Sequence, residues 1–479
     1  MSSKRIRRPF KNGAAISVRQ LARSDSGLGM TEILVAMMVF AIIATTAAYG
    51  MLNALTLTSS TRASETAMSI ASSDLDQMRL AASVDDNGVF SVVSTSSPIP
   101  KNVGGTAFSV TRTVTWQTTT GTIGACGTGT GTLQYKNVSE TVSWVASNGR
   151  TRSITMSSAI APLSNINSDT TGTIIVTVTG AGGQPVPGLT VSITPTSGGG
   201  GSALNDAPEN TDIAGCSFGL LVDPGSYAVT ASLAGDIDLN QSPIAITPNG
   251  APVSVVAGQN TLVNFTYDQA ATFPLTYPAG ATLPTNLPIS FYHATPGTTA
   301  FNGTAPFSAT PPASVKAFPW GDGYTILGGT YNYTATASPA SCLDTNPASW
   351  TTARADGALG VAPTPVFAAP GGTAPSTAVP MGTLTLPSVS SLSGKYITAM
   401  TASTPAAGDP GCNAGQKLLF PVQGSASPTK LALPYGTWNL YYGTTAGSTT
   451  SAFTSALLTG QTGGVVGSGN SILIDPRVP

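Results

Sequence analysis

The sequence predicts an α+β N-terminal part, made of one long helix and an antiparallel sheet, followed by a series of all-β sandwich modules. Twenty uncharged and mostly apolar residues near the N-terminus predict the first half of the helix. Alternation of apolar and polar residues farther along the chain predicts strands. Glycine and proline are abundant, at 53 and 36 residues, and mark turns between strands. A hydrophobic content of 41% is too high for a fully disordered chain.

The composition argues against several classes of function. Charged residues make up 9% of the chain, whereas about 25% is average, and this disfavours an ordinary cytosolic enzyme. His293, expected to be a partly exposed strand residue, is the only histidine, which excludes multi-histidine metal sites. Basic residues total 20 against 21 acidic ones, so nucleic-acid binding is not expected. No nucleophile, base and orienting residue lie together, so we expect no enzymatic activity and no cofactor. A hydrolase that uses only carboxylates, within the β modules, is the one enzymatic alternative left open.

The charges are distributed unevenly along the chain. The first 27 residues contain seven of the twenty basic residues and a single acidic residue, Asp25. A basic segment before an apolar one is typically retained in the cytoplasm, while the chain that follows is exported. The basic residues of this segment are Lys4, Arg5, Arg7, Arg8, Lys11, Arg19 and Arg23.

The apolar run Ile33–Leu52 is long enough to cross a membrane. A helix rises 1.5 Å per residue, so about 20 residues span the ~30 Å hydrocarbon core. An ordinary secretory signal is shorter and ends at a cleavage site, but no sharp break follows this run. Asn53–Ala82 continues with helix-forming and polar residues. The sequence therefore predicts one helix over residues 28–82, apolar first and amphipathic later.

Glu32 lies at the edge of the apolar run, where a carboxylate is costly. An interfacial glutamate is the ordinary explanation, but here the segment Ser26–Glu32 (SGLGMTE) follows a basic leader. Together these features resemble the type IV prepilin family, which includes the pseudopilins. The resemblance implies a prepilin leader over residues 1–27, cleavage between Gly27 and Leu28 by a prepilin peptidase, and N-methylation of Leu28.

Cleavage after Gly27 would make Glu32 the fifth residue of the mature chain, as in this family. The chain departs from the family pattern in having Leu28 and Gly29 where Phe or Met and then Thr or Ser are usual. Cleavage after Gly29 would give the more usual Met30 start, but it would place Glu32 third, so we favour Gly27. In an assembling fibre, the Glu32 carboxylate can neutralise the terminal amine of a neighbouring subunit and so set the axial register.

Residues 83–163 are predicted to form an antiparallel sheet against the lower part of the helix. Ala107–Trp116 alternates apolar and polar residues, and Leu133–Val145 does so less regularly. The dipeptide Asn148-Gly149 before Thr151–Ala161 is a strong hairpin signal. The prepilin resemblance implies the same layout of helix and sheet.

A polar linker is predicted over residues 164–170, and a separate module follows at 171–268. The module begins with a strand, Gly172–Thr179, followed by a Gly-Gln-Pro-Val-Pro-Gly turn and a second strand. A Pro-Gly-Ser-Tyr sequence at 224–227 enters a later strand. This pattern resembles the carboxypeptidase-regulatory-like and collagen-adhesin B-type β-sandwiches. The resemblance implies an immunoglobulin-like or prealbumin-like sandwich and says little about a ligand.

Two later segments repeat a Pro/Gly turn that enters an aromatic strand. They are Gly328–Ala335 and Leu433–Leu440. They predict a second β module at 269–386 and a third at 387–479. The alternative is one or two sandwiches joined by structureless chain rich in glycine and threonine.

Four cysteines, Cys126, Cys216, Cys342 and Cys412, lie in the part of the chain expected to be exported, and their even number predicts disulfides. Three pairings are possible, and spacing excludes none of them. Cys126 with Cys216 and Cys342 with Cys412 is the simplest choice because each pair is then local in the chain. No C-x-x-C motif is present, so no metal site is expected.

These observations predict a structural subunit of a type IV pilus or related fibre, minor or at the tip, whose modules serve adhesion or spacing. Its expected partners are a prepilin peptidase, other pilin subunits through the helix, and the cytoplasmic membrane before assembly at the cell surface. A host, surface or glycan ligand is not identified by the sequence. Two alternatives stay open: a pseudopilin of a secretion system, and an unassembled surface protein anchored by one uncleaved helix.

Overall fold

In the computed structural model of this chain, one long N-terminal apolar helix is followed by mostly β structure, and this coarse expectation is confirmed. The structure describes residues 29–84, 88–121, 123–127, 132–146, 148–163, 166, 168–247, 250–293, 311–332, 341–388, 390–424, 429–458 and 464–478. These residues divide into two compact units. The first comprises 29–70, 100–109 and 142–154, and the second comprises the remainder.

Helix α1 spans Met30–Ala82 and is about 80 Å long at 1.5 Å per residue. Alanine, leucine and methionine, which favour helices, are frequent in it. Its threonine hydroxyls bond to the helix itself, since Thr45 donates to the carbonyl of Ala41 at 2.8 Å and Thr46 to that of Ile42 at 2.9 Å. These polar groups are therefore satisfied without water.

A five-stranded sheet follows the helix. Its strands are β1 Ile99–Val103, β2 Thr106–Thr118, β3 Ile123–Gly124, β4 Leu133–Val145 and β5 Thr151–Ile160. The strand order is β1-β2-β4-β5, with β3 paired to β2. The expected hairpin turn lies between β4 and β5, where the amide of Ala146 donates to the carbonyl of Arg150. Gly149 adopts a φ of +75° there, a conformation that glycine tolerates best.

Strand alternation places one face of this sheet against the helix. Every second residue of β2 is buried, as the sequence pattern predicts. Leu75 and Ala82 of α1 lie in one apolar cluster with Val114 of β2, Val138 of β4 and Ile160 of β5. The last part of the helix is therefore held by side chains from three strands.

The first β-sandwich consists of two facing sheets. Its strands are β6 Gly172–Thr179, β7 Thr190–Pro195, β8 Cys216–Val222, β9 Gly225–Ser232, β10 Asp236–Asp238, β11 Ala245–Ile246, β12 Val253–Val255 and β13 Asn260–Gln269. One sheet has the order β10-β13-β6-β8, and the other is β11-β9-β12 with β7 on β9. Strands β6 and β13 pair in parallel. Side chains of both sheets, including Val176 and Tyr227, form the core between them.

The remaining strands form four further sheets. They are β14 Ala271–Thr276, β15 Ile289–Tyr292, β16 Ser314–Ala317, β17 Thr325–Gly328, β18 Thr377–Ala378, β19 Gly382–Leu386, β20 Tyr396–Thr401, β21 Lys417–Leu419, β22 Thr429–Leu433, β23 Gly436–Gly443, β24 Ser451–Ala452, β25 Gly464–Val466 and β26 Ser471–Ile474. The sheets are β16-β14-β18, β15-β17, β19-β22, and β21-β20-β23-β26-β25 with β24 on β23.

The expected second and third modules share backbone pairing and core. The amide of Thr282 donates to the carbonyl of Lys430 at 2.7 Å, and the amide of Ala432 donates to the carbonyl of Thr282 at 3.0 Å. Ala432 is also buried in the apolar cluster of Phe273 and Ile289. The boundary expected at 386/387 falls directly after β19, whose partner β22 lies beyond that boundary. The module boundaries stay predictions, and strands pair across the one expected at 386/387.

The Pro/Gly turn before an aromatic strand occurs at 223–230, 328–335 and 433–440. At the first and third of these segments, the aromatic residue makes a hydrogen bond that closes the turn. Tyr227 donates its hydroxyl to the carbonyl of Asp223 at 2.8 Å, and Trp438 donates its indole N–H to the carbonyl of Pro434 at 2.9 Å. Each aromatic residue thus closes a turn onto the carbonyl four residues earlier. At 328–335, Gly329 follows β17 with a φ of +95°, and Asn332 pairs with Cys342 in an isolated bridge. Residues 333–335 lie outside the described residues, so the strand expected there stays a prediction.

Three charged side chains are buried where the helix meets the sheet. Arg112 of β2 pairs with Asp74 of α1, and its Nε donates to Oε2 of Glu140 of β4 at 3.3 Å. One cation therefore faces two carboxyl groups. Burial raises the pKa of Glu140 to about 7, hydrogen bonding and repulsion from Asp74 act in the same direction, and Arg112 opposes them.

We expect Arg112→Met to lower the free energy of unfolding by about 3–5 kcal/mol, because two carboxyl groups then stay buried without a cation. Arg79→Met is the matched control. It removes an ion pair with Asp76 in which the side chains are 54% and 64% exposed, so it should cost at most about 1 kcal/mol. Denaturant unfolding of the full chain in detergent measures both losses. Equal losses would contradict a structural role for the buried pair.

The pKa of Glu140 also predicts a pH dependence. The folded value of about 7 lies above the ordinary 4.5, so the folded chain holds this proton more tightly than the unfolded chain. The resulting stabilisation is complete below about pH 4.5 and is lost as the pH rises through about 7. Glu140→Gln cannot lose this proton, so its melting temperature should rise relative to the wild type across that interval. Glu65→Gln, at an exposed helix position, should show a constant difference. A constant difference for Glu140→Gln as well would refute the shift.

Candidate assembly surface

Glu32 lies in the first turn of α1 and caps it. The amide of Gly29, directly before the helix, donates to Oε2 of Glu32 at 3.3 Å, and the amide of Glu32 donates to the carbonyl of Gly29 at 2.8 Å. This arrangement is the glutamate half of a capping box. The carboxylate also lies at the positive end of the helix dipole. The negative charge is thus held at the N-terminal end of the apolar helix.

The first half of α1 exposes a continuous apolar surface. Fifteen large apolar side chains in it are each at least 47% exposed. A patch of this size marks a surface that meets a membrane or another protein. The helix is also long and apolar enough to cross a membrane. The fifteen residues are Met30, Ile33, Leu34, Val35, Met37, Met38, Val39, Phe40, Ile42, Ile43, Tyr49, Met51, Leu52, Leu55 and Leu57.

Burial along the helix begins at Ala67, in its last third. Ala67, Ile70, Ala71, Leu75 and Ala82 are buried, at spacings typical of one helix face. The same unbroken helix therefore has an exposed apolar half and a half with a buried stripe. Only the second half takes part in the protein core.

The predicted processing site, Gly27 and Leu28, lies outside the described residues, which begin at Gly29. Cleavage, N-methylation and recognition by a peptidase therefore stay predictions. Glu32 is described, and its position at the start of the helix agrees with an assembly role, but that role is also a prediction.

The four cysteines form two disulfides, Cys126–Cys216 and Cys342–Cys412, which are the pairs local in the chain. Asp344 lies beside the second disulfide, and the three side chains are close enough to suggest a metal site. Sulfur atoms in a disulfide offer no thiolate, so this group is not suited to bind a metal. Burial and the neighbouring charge of Asp409 raise the pKa of the Asp344 carboxyl well above its usual range.

His293 is not the partly exposed strand residue that the sequence predicts. It follows β15 directly and is 4% exposed, and its ring stacks on that of Trp320 with centroids 4.2 Å apart. Burial lowers its pKa, while Asp322 acts in the opposite direction. The aromatic neighbours bury this imidazole, which explains the difference.

Sequence reasoning missed the buried charges at the helix and sheet. The available signal was strand phase, because Arg112 falls in register with the inward-facing Val110 and Val114. Glu140 likewise falls in register with Val138. A charged residue at an inward position predicts a buried ion pair, but phase alone does not identify Asp74 as the partner.

No protein-family model matches the chain, and no curated protein matches it either. Among solved structures, the chain is similar to the Bacillus anthracis TIE protein, with 12% identity, 80% of this chain and 71% of that chain covered, and a TM-score of 0.18. A crystal structure of BcpA, the major pilin subunit of Bacillus cereus, matches with 12% identity over 30% of this chain and 41% of that chain, with a TM-score of 0.16. TM-scores of this size do not establish a shared fold.

Proposed function

We propose that this protein is a structural subunit of a type IV pilus or related fibre. Helix α1 inserts in the cytoplasmic membrane before assembly. A prepilin peptidase cleaves between Gly27 and Leu28, and the new terminal amine of Leu28 is N-methylated. Other subunits then pack against the apolar first half of α1, and the β modules lie outside the cell.

The unbroken helix is the observation that carries this proposal. A removable secretory signal would be separated from the folded protein after its apolar run. Here the helix continues without interruption from the apolar run into the segment whose Leu75 and Ala82 pack in the core. The apolar half therefore stays with the mature protein, and its apolar surface must be covered by lipid or protein. Lipid supplies that cover before assembly, and the helices of neighbouring subunits supply it afterwards.

The position of Glu32 supports assembly rather than simple anchoring. It is the only charged residue between Gly29 and Arg62. A helix used only as an anchor gains the cap from this carboxylate but no partner for its charge, which opposes insertion. In a fibre, the terminal amine of a neighbour neutralises it, and pairing removes much of the cost of burying either charge. A subunit in the wrong axial register would bury both charges unpaired.

The C-terminal modules are proposed to be immunoglobulin-like or prealbumin-like sandwiches that serve adhesion or spacing. The two facing sheets of residues 172–269 support this for the first module. We propose a minor subunit, at the tip or sparsely inserted. Packed helices lie 8–10 Å apart, whereas a compact domain of 100 residues has a radius of gyration of ~13 Å. Such modules on every subunit would crowd one another.

The mature N-terminus is the first test. We expect mass spectrometry of the protein, produced with its peptidase, to find a chain that starts at N-methylated Leu28. Gly27→Val should block cleavage because a bulky residue replaces the small one at the scissile bond, whereas Gly29→Val should not. A start at Met30 would move the register by two residues. Surface protein that retains residues 1–27 would contradict processing.

The second test concerns the carboxylate. Glu32→Leu should insert in the membrane normally, since the apolar run only becomes longer. Its incorporation into sheared fibres should fall about tenfold or more, equivalent to the loss of ~1.4 kcal/mol of pairing. Quantitative immunoblots of fibre and membrane fractions measure the ratio.

Glu65→Leu is the matched control, because Glu65 is an exposed carboxylate farther along the same helix. It should leave incorporation unchanged. Normal incorporation of Glu32→Leu would rule out the charge-pairing mechanism. In the same sheared fibres, a one-to-one ratio of the wild-type chain to the most abundant subunit would contradict a minor role.

A further inference from the structure

A buried junction joins the five-stranded sheet to the first sandwich within the second compact unit. The rings of Phe90, Trp116 and Phe218 pack with centroids 4.9–6.0 Å apart. The Cys126–Cys216 disulfide belongs to the same apolar cluster. Trp116 and Cys126 come from the sheet part of the chain, whereas Phe218 and Cys216 belong to β8 of the sandwich. Aromatic packing and a covalent bond therefore act at one place.

A buried cation adds to this junction. The Nζ atom of Lys136 donates to the carbonyl of Val92 at 2.8 Å and lies 5.0 Å from the ring centroid of Trp116. Burial lowers the pKa of Lys136 to about 8, while Asp212 of the sandwich opposes this shift. The charge of Lys136 is thus balanced by a group on the other side of the junction.

The expected linker does not leave the sandwich free to swing. Ile166, inside the segment 164–170, is 4% exposed and packs in the same cluster as the disulfide. The described part of this linker is therefore anchored. In addition, the disulfide connects the sheet to the sandwich without passing through the linker at all.

A second disulfide farther along the chain also links two segments directly, without the residues between them. Cys342–Cys412 connects the segment after β17 to the segment between β20 and β21. Its two cysteines are 0% and 8% exposed. Those of the first disulfide are 6% and 1% exposed. A thiol must reach a sulfur atom to reduce it, so both bridges are protected while the fold is closed.

The geometry points to a load-bearing role for both disulfides. Tension applied between α1 and the C-terminal end passes through Cys126–Cys216 and then through Cys342–Cys412. The residues between each pair are never extended, even after the surrounding strands separate. The need for such a device rests on the proposed function, in which the helix is held in a fibre and the modules are pulled from outside. The load path itself depends only on the connectivity of the chain.

The lengths removed from the load path are large. The bridged cysteines are 90 and 70 residues apart in sequence. At ~3.5 Å per extended residue, the first bridge withholds about 315 Å of chain and the second about 245 Å. The first bridge also crosses the junction, so the sheet and the sandwich stay joined when the aromatic cluster opens.

Single-molecule stretching of the full chain in detergent, held by tags at its two termini, tests this role. We expect complete unfolding to yield a contour length about 560 Å shorter without reductant than with dithiothreitol. The paired substitution Cys126→Ser and Cys216→Ser should lengthen the unfolded chain by about 315 Å. Cys342→Ser with Cys412→Ser should lengthen it by about 245 Å.

Equal lengths with and without dithiothreitol would overturn the proposal, and so would increments that do not match the separations of these two pairs. If a serine variant does not fold, dithiothreitol added to the stretched wild-type chain gives the same increments without a substitution. The measured lengths test the load path independently of the proposed function. A chain that never enters fibres would still show these lengths, and a fibre subunit without them would keep its function and lose the load path.

Discussion

In the proposed function, a single helix has to be stable in two different surroundings, and the rest of the structure depends on this constraint. In the hydrocarbon core, polar groups must find their hydrogen-bond partners within the helix. The hydroxyls of Thr45 and Thr46 do so by donating to helix carbonyls. Outside the membrane, propensity alone makes a helix only marginally stable, so tertiary packing has to support it. The sheet supplies that packing to the second half, through the apolar cluster around Leu75 and Ala82.

The buried charges specify how the helix and the sheet fit together. Replacing a buried ion pair by apolar residues is often neutral or stabilising, so Arg112, Asp74 and Glu140 need not add net stability. Instead, they fix the register of β2 relative to the helix. A shift of one residue along β2 would turn Arg112 to the opposite face of the sheet and leave two carboxyl groups buried without their cation. The same shift would turn the buried apolar residues of β2 to the solvent face, so the buried charges and the hydrophobic pattern specify the same register.

Local periodicity explains how much of this fold the sequence predicts. The helix and strands β2, β4, β5 and β6 follow from patterns that repeat within a few residues. Parallel pairing of β13 with β6, and the pairing of Thr282 with Lys430, join residues far apart in sequence. No local pattern encodes such pairs, which is why the sequence does not predict the strand pairing across the boundary expected at 386/387. The assembly surface is predictable for the same reason as the helix, since Glu32 and the apolar run are adjacent.

The anchored junction bears on the place proposed for this chain in a fibre. A free linker of the seven residues 164–170 would reach roughly 25 Å, enough to move bulky modules partly away from a crowded core. With Ile166 buried and Cys126 bonded to Cys216, the described part of this linker is held and the first sandwich stays at the sheet. Subunits whose helices pack 8–10 Å apart cannot all hold a domain several times that width beside them. In the proposed fibre, this junction would therefore also limit how many copies can be neighbours, which favours the proposed place at a fibre end or among smaller subunits.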